Sequence, residues 1–155
     1  MRAIQFKQNL PVSLDQAWAF LSDPRNLKII TPPGMGFDIA TPDLAAEMYA
    51  GMVISYRVKP LLGIPLTWVS EITHVRAPLF FVDEQRFGPY RFWHHQHFLQ
   101  KIPGGVEMRD LIHYQIPGKW IGDRLAPWLV VPKLRQIFSF REKKLIELFG
   151  PYEAP

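Results

Sequence analysis

The stretch from Gly118 to Gly150 carries the longest apolar stripe of the chain, and it limits what the remainder can become. From Pro132 onward, Leu134, Ile137, Phe138, Leu145, Leu148 and Phe149 recur at the spacing of one helix face. Lys133, Arg135, Arg141, Glu142, Lys143, Lys144 and Glu147 fill much of the rest and read as its solvated side. Pro127 and Pro132 interrupt the start of this segment, so residues 120–131, with Trp120, Leu125, Trp128, Leu129, Val130 and Val131, are expected to form a separate turn or a kinked approach that closes one end of a cavity. Nearly everything before it has the texture of strands. A long helix that follows an antiparallel sheet buries its stripe against that sheet, which gives an α+β domain of two layers.

Taken in order, residues 2–9 alternate, with Ile4, Phe6 and Gln8 on one side, and Pro11 ends that strand. Ser13 and Gln16 have capping-box spacing, and Leu14, Ala17, Trp18 and Leu21 form the apolar face of a short helix. Asp23-Pro24 breaks it, and Arg25 to Ile30 adds another turn or two before Thr31-Pro32-Pro33-Gly34. Six strands follow, at 37–40, 52–58, 66–75, 80–87, 91–101 and 106–116, with Gly104-Gly105 the clearest hairpin signal. Strands this closely spaced, joined by turns rather than helices, argue for an antiparallel sheet and against a doubly wound fold. The expected layout is one domain over 1–150 with a tail at 151–155.

With 155 residues, the chain suits one domain with a sizeable core. Aromatic residues make up 14% of it, enough to fill such a core or to line a hole inside it. Cysteine is absent, which removes disulfides, thiolate metal sites and cysteine nucleophiles, and agrees with a reducing, cytoplasmic setting. A net charge of +4 is spread along the chain rather than gathered in a basic arm, so nucleic acid is not an expected partner. Transient contact of the basic helix with a membrane surface is compatible with Arg141, Lys143 and Lys144; no protein partner is implied.

Three stretches resemble the START-related helix-grip superfamily, also described as SRPBCC or the polyketide cyclase/dehydrase and lipid-transport group. They are Leu10-Pro11-Val12-Ser13-Leu14-Asp15-Gln16-Ala17-Trp18 at the first strand-to-helix transition, the run from Gly88 to Phe98, and Gly104-Gly105 leading through Met108, Asp110 and Tyr114 to Pro117. The latter two are similar to a bacterial branch of uncharacterised members. The resemblance implies a curved antiparallel sheet wrapped around a long C-terminal helix, two short helices after the first strand, and a ligand cavity between the layers. It implies no particular reaction, because the superfamily spans sterol, lipid and hormone binders, quinone-associated proteins and aromatic cyclases.

In a regular strand His95 and His97 share a face with Trp93 and Leu99, while His94 lies opposite. His95 and His97 would supply two metal ligands, yet no spacing selects a third from Glu71, Glu84, Asp110, His74 or His113, so no metal and no cofactor are expected. Their other readings are hydrogen bonding within a cavity or a structural role. Asp110 and Glu71, in apolar alternating sets, join His95 as candidate acid–base groups, unless Arg57, Arg86, Arg91 or Arg109 neutralises a carboxylate. The aromatic content points instead to binding. Trp68, Trp93, Trp128 and Phe138 are the candidate ring contacts, Tyr56 and Tyr114 the orienting donors, and His95 and His97 the polar contacts.

The expectation is noncatalytic binding, transport or sensing of a small hydrophobic molecule, whether lipid, isoprenoid, quinone-like or aromatic. The entrance is expected near 60–65 or 88–92 and the 120–131 segment. The alternatives are a cyclase, dehydratase or isomerase acting on a polyketide-like substrate, and a structural partner protein.

Overall fold

The computed structural model describes residues 1–59 and 64–154, apart from the side chains of 119–123 and 125–127. Its elements are β1 (Arg2–Leu10), α1 (Leu14–Leu21), β2 (Asp38–Ile39), β3 (Met52–Val58), β4 (Leu66–Arg76), β5 (Phe80–Phe87), β6 (Phe92–Ile102), β7 (Gly105–Gln115) and α2 (Lys119–Phe149). Two 3-10 turns, Pro24–Lys28 and Pro33–Met35, lie between α1 and β2. Among the described residues the strands form one sheet in the order β1-β7-β6-β5-β4-β3-β2, every neighbouring pair antiparallel. This is the α+β helix-grip architecture.

Local chemistry accounts for the element boundaries. The Ser13 hydroxyl accepts from the Gln16 backbone N–H at 3.2 Å, and the Gln16 side chain accepts from the Ser13 N–H at 3.0 Å, so the capping box forms as read. The β6–β7 turn falls one residue earlier than Gly104-Gly105. Pro103 and Gly104 make the loop, Gly104 with φ +73, and Gly105 already pairs with Ile102. Gly105 serves a different end there, since a Cβ at this position would lie 2.0 Å from the Leu10 carbonyl oxygen where β1 crosses beside the turn.

Two expectations about the helical layer are corrected. α2 runs unbroken from Lys119 through Pro127 and Pro132, with no separate turn. Each proline withholds one helical N–H, and α2 remains continuous because Val130 and Leu134, on either side of Pro132, are buried against Trp93, Ile112 and Tyr114. The buried stripe is Val130, Leu134, Phe138, Arg141 and Leu145, and it therefore includes a cation that the sequence assigns to solvent. Leu148 is exposed, and Phe149 turns inward instead, edge-on to Phe20 at 5.3 Å.

α2 packs most closely on β1 and β7. Phe6 of β1 and Phe138 of α2 stack with ring centroids 3.8 Å apart. Apolar burial consequently divides in two. One cluster gathers Leu10, Ala17, Trp18, Ile54, Ile72, Phe81 and Leu145 around α1. The other gathers Trp93, Ile112, Tyr114, Val130, Leu134 and Phe138 under α2, and Trp68 packs against both. The space between the clusters is the cavity described next.

The close approach at Gly105 gives a direct check. Gly105→Ala should destabilise the protein by about 2 kcal/mol or more in urea unfolding, because backbone rather than a side chain must move. Gly34→Ala, with nothing within 4 Å of its Cβ and no positive φ, should stay within about 0.5 kcal/mol of the parent.

Candidate functional site

Between sheet and α2 lies a cavity of about 180 Å³ whose wall is largely apolar. Ile72, Phe81, Trp68 and Trp93 face it from the sheet, and Leu134 and Phe138 from α2. The N-terminal helical turns supply Phe20, Leu27 and Ile30 along another side. Tyr90 and Lys133 also reach the wall; of the expected entrance, residues 60–63 and the Trp120 and Leu125 side chains lie outside the described residues.

The polar part of the wall is built by strand register. His95 of β6 stands opposite Asp83 of β5, and His97 stands opposite Asp110 of β7. Residues two apart on a strand share a face, so each histidine also meets the other aspartate diagonally. His95 Nδ1 lies 3.3 Å from Asp83 Oδ2, and His95 Nε2 lies 2.9 Å from Asp110 Oδ1. His97 Nε2 lies 2.9 Å from Asp83 Oδ2, and His97 Nδ1 lies 2.9 Å from Asp110 Oδ1. The two imidazoles sit side by side with centroids 3.7 Å apart, and Phe81 stacks on His97 at 4.1 Å. Arg141 closes the group from above, its Nη1 3.4 Å from Asp110 Oδ1 and its guanidinium carbon 4.6 Å from the Phe138 ring centre.

Burial and pairing act against each other here. Burial alone would raise the Asp110 carboxyl, but hydrogen bonds from His95 and His97, with the attraction of His97 and Arg141, hold it below the ordinary carboxylate range. Burial likewise opposes ionisation of Asp83, and the charge and hydrogen bonds of His95, followed by those of His97, bring it down. His95 is shifted up: burial disfavours its cation, and the Asp83 charge and the Asp110 hydrogen bond outweigh that. Tyr56, on the cavity wall, is pushed up by burial and by the Asp83 charge, so its phenol stays an O–H donor at neutral pH.

The cavity thus brings together Tyr56, Trp68, Trp93, His95, His97 and Phe138. Asp110 stands behind the two histidines and is 1% exposed, so it reaches the cavity through them. Three candidates are placed elsewhere. Glu71 points to the outer face, where Arg86 Nε donates to it at 2.6 Å, because Trp68, Ser70 and Ile72 take the inward positions of β4. Trp128 is 80% exposed on the far side of α2 from Val130 and Leu134. Tyr114 is buried edge-on to Tyr90 at 6.2 Å in the cluster under α2 and does not line the cavity.

Two residues of the site escaped the sequence reading. Arg141 had a visible signal, since it falls three residues after Phe138 and four before Leu145, on the stripe itself. Asp83 had none, because Phe81 and Val82 before it are both buried and β5 shows no clean alternation. Among the described residues, Asp83, His95 and His97 also form a group that could hold a metal ion, with ligand atoms within 4.8 Å of one another.

No family model matches this sequence. No curated protein matches it either. Solved structures do. Protein CV1439 from Chromobacterium violaceum superposes with a TM-score of 0.70 at 14% identity, covering 98% of this chain and 100% of that one. Protein Ms6760 from Mycobacterium smegmatis gives 0.67 at 17% identity, covering 94% and 92%. Ara h 8.0201 gives 0.63 at 14% identity, covering 94% and 98%. At these identities the likeness establishes the helix-grip fold.

The signs of the shifts set a pH window for chelator-treated protein. The raised His95 contributes stability that is full below about pH 6.5 and is lost as pH rises through its folded value. The depressed Asp110 contributes stability that is full above about pH 4 and is lost only as pH falls through its folded value. Asp110→Asn should therefore lose about 3 kcal/mol between pH 4 and 6.5, with the deficit narrowing toward alkaline pH. Urea midpoints of the two proteins across pH 4–9 would check it.

Proposed function

We propose that the protein binds a small, mainly apolar molecule carrying one polar group, in the cavity between the sheet and α2, without transforming it. The observation that carries this reading is a largely apolar cavity onto which one cluster of mutually paired polar side chains, Asp83, His95 and His97, opens. Apolar walls supply affinity by removing ligand surface from water, and a few convergent polar groups fix its orientation. The helix-grip fold of the solved structures supports the reading, since this architecture places a helix across a sheet with room between them.

Volume narrows the ligand class. About 180 Å³ falls below the roughly 300–1,000 Å³ of pockets for drug-sized ligands, and slightly above an engineered cavity of about 150 Å³ that admits benzene. A compound of one or two rings, phenolic or quinone-like, fits this space better than a sterol or a long acyl chain. Its oxygen would meet the polar wall, within reach of the Tyr56 hydroxyl or the histidine pair. The buried imidazoles favour a second reading, in which the same cavity holds a cyclase, dehydratase or isomerase substrate and His97 carries a proton to or from it.

Calorimetric titration with phenol, 1-naphthol and palmitate tests the binding reading. The two aromatic alcohols should bind saturably at one site and palmitate should not. Val58→Phe, which adds a ring to the wall, should weaken 1-naphthol binding by roughly tenfold or more, about 1.4 kcal/mol. Tighter binding of palmitate, or no effect of Val58→Phe, would refute it. Turnover that vanishes in His97→Gln while binding persists would favour the second reading.

A further inference from the structure

We infer that Asp83, His95 and His97 form a binding site for a divalent first-row transition metal ion in the cavity wall, with Asp110 holding both imidazoles in the liganding orientation. The inference is independent of whether the cavity also takes an apolar ligand.

Three electron-pair donors meet at one place. His95 Nδ1 and His97 Nε2 both face Asp83 Oδ2, at 3.3 and 2.9 Å. Bonds of about 2.0–2.2 Å to a common ion, at angles between octahedral and tetrahedral, place ligand atoms roughly 2.9–3.5 Å apart. The two spacings to Asp83 Oδ2 already lie in that range, and the three ligand atoms all lie within 4.8 Å of one another. The geometry is also out of reach of chance neighbours on one strand, because it needs the β5–β6 register to set Asp83 beside both rings.

The far side of each ring supplies a second, separate observation. His95 Nε2 and His97 Nδ1 both lie 2.9 Å from the same oxygen, Asp110 Oδ1. A neutral ring that donates its N–H to Asp110 has its lone pair on the opposite nitrogen, so an ion that displaces the protons shared with Asp83 would meet both lone pairs there. A carboxylate that accepts from the outer N–H of a liganding histidine is the usual support of such sites, fixing tautomer and ring orientation. Asp110 does this for two histidines at once, and Arg141 Nη1 stands 3.4 Å from the same oxygen. The other Asp110 oxygen and the Arg141 Nε are buried without a hydrogen-bond partner among the described residues, so this support is held at some energetic expense in the interior.

The donor set selects the class of ion. Two imidazoles with one carboxylate suit zinc, cobalt or iron, whereas calcium and magnesium prefer oxygen throughout. Asp83, His95 and His97 all line the cavity, so remaining coordination positions open into it. An ion there would grip an oxygen of whatever the cavity holds.

The test uses the full chain after chelator treatment, titrated with Zn²⁺ by calorimetry and with Co²⁺ by visible absorption. Wild type should bind one ion. Asp83→Asn and His97→Gln should each weaken binding by about 100-fold or more, and Asp110→Asn by about 10- to 100-fold. His94→Gln and His113→Gln, which alter the other face of β6 and β7, should leave affinity unchanged. A readout needing no variant is the proton spectrum of the Co²⁺ complex, where two paramagnetically shifted, exchange-protected ring N–H signals should report the bonds to Asp110. Failure of wild type to bind Zn²⁺, Co²⁺, Fe²⁺ or Ni²⁺ overturns the inference. So does binding that survives Asp83→Asn with His97→Gln, or a Co²⁺ complex lacking the shifted N–H signals.

Discussion

A guanidinium in the apolar stripe of α2 must find an anion, and the arrangement of the interior follows from that requirement. Arg141 is 6% exposed and meets Asp110, which is 1% exposed. One arginine does not satisfy both the buried Asp110 and the half-buried Asp83, so the imidazoles of His95 and His97 stand between them and share their charge. Replacing such a group with hydrocarbon of equal shape is often neutral or stabilising, so its presence is weak evidence of a stabilising role. Its location in the wall of a cavity, rather than in a filled core, ties it to what the cavity holds.

The same requirement helps explain why the layers stay apart in the middle. α2 closes on the sheet at β1 and β7, through the Phe6–Phe138 stack, and covers the charged group with Arg141. On the other side α1 and the 3-10 turns build their own cluster around Trp18, Ile54 and Ile72. Trp68 and Trp93, edge-on at 5.2 Å, join Leu134 and Ile72 in lining the space left between the two clusters, which is the cavity. Apolar surface thus left unpaired on both layers favours an apolar ligand there.

Much of this architecture was legible in the residues. The strand sequence, the capping box at Ser13 and the shared face of His95 and His97 follow from local periodicity and side-chain chemistry. What was not legible depends on contacts between distant residues. Asp83 is aligned with His95 only by the pairing of β5 with β6, and Glu71 reads as inward until Trp68 and Ile72 claim that face. Arg141 reads as solvated because charge outweighs position in a sequence pattern, though its place on the stripe was visible. The prolines of α2 read as breaks, and only packing of Val130 and Leu134 shows why the helix passes through.

The claim on which the rest turns is that an apolar space persists between the sheet and α2 beside the histidine–aspartate group. A crystal structure determined under xenon pressure addresses it most directly, since xenon enters dry apolar cavities of this size. The expected result is an ordered xenon atom in contact with Ile72, Phe81, Trp93 and Phe138. A xenon-free interior in which those side chains close on one another would contradict it, and the protein would then have to act through its surface.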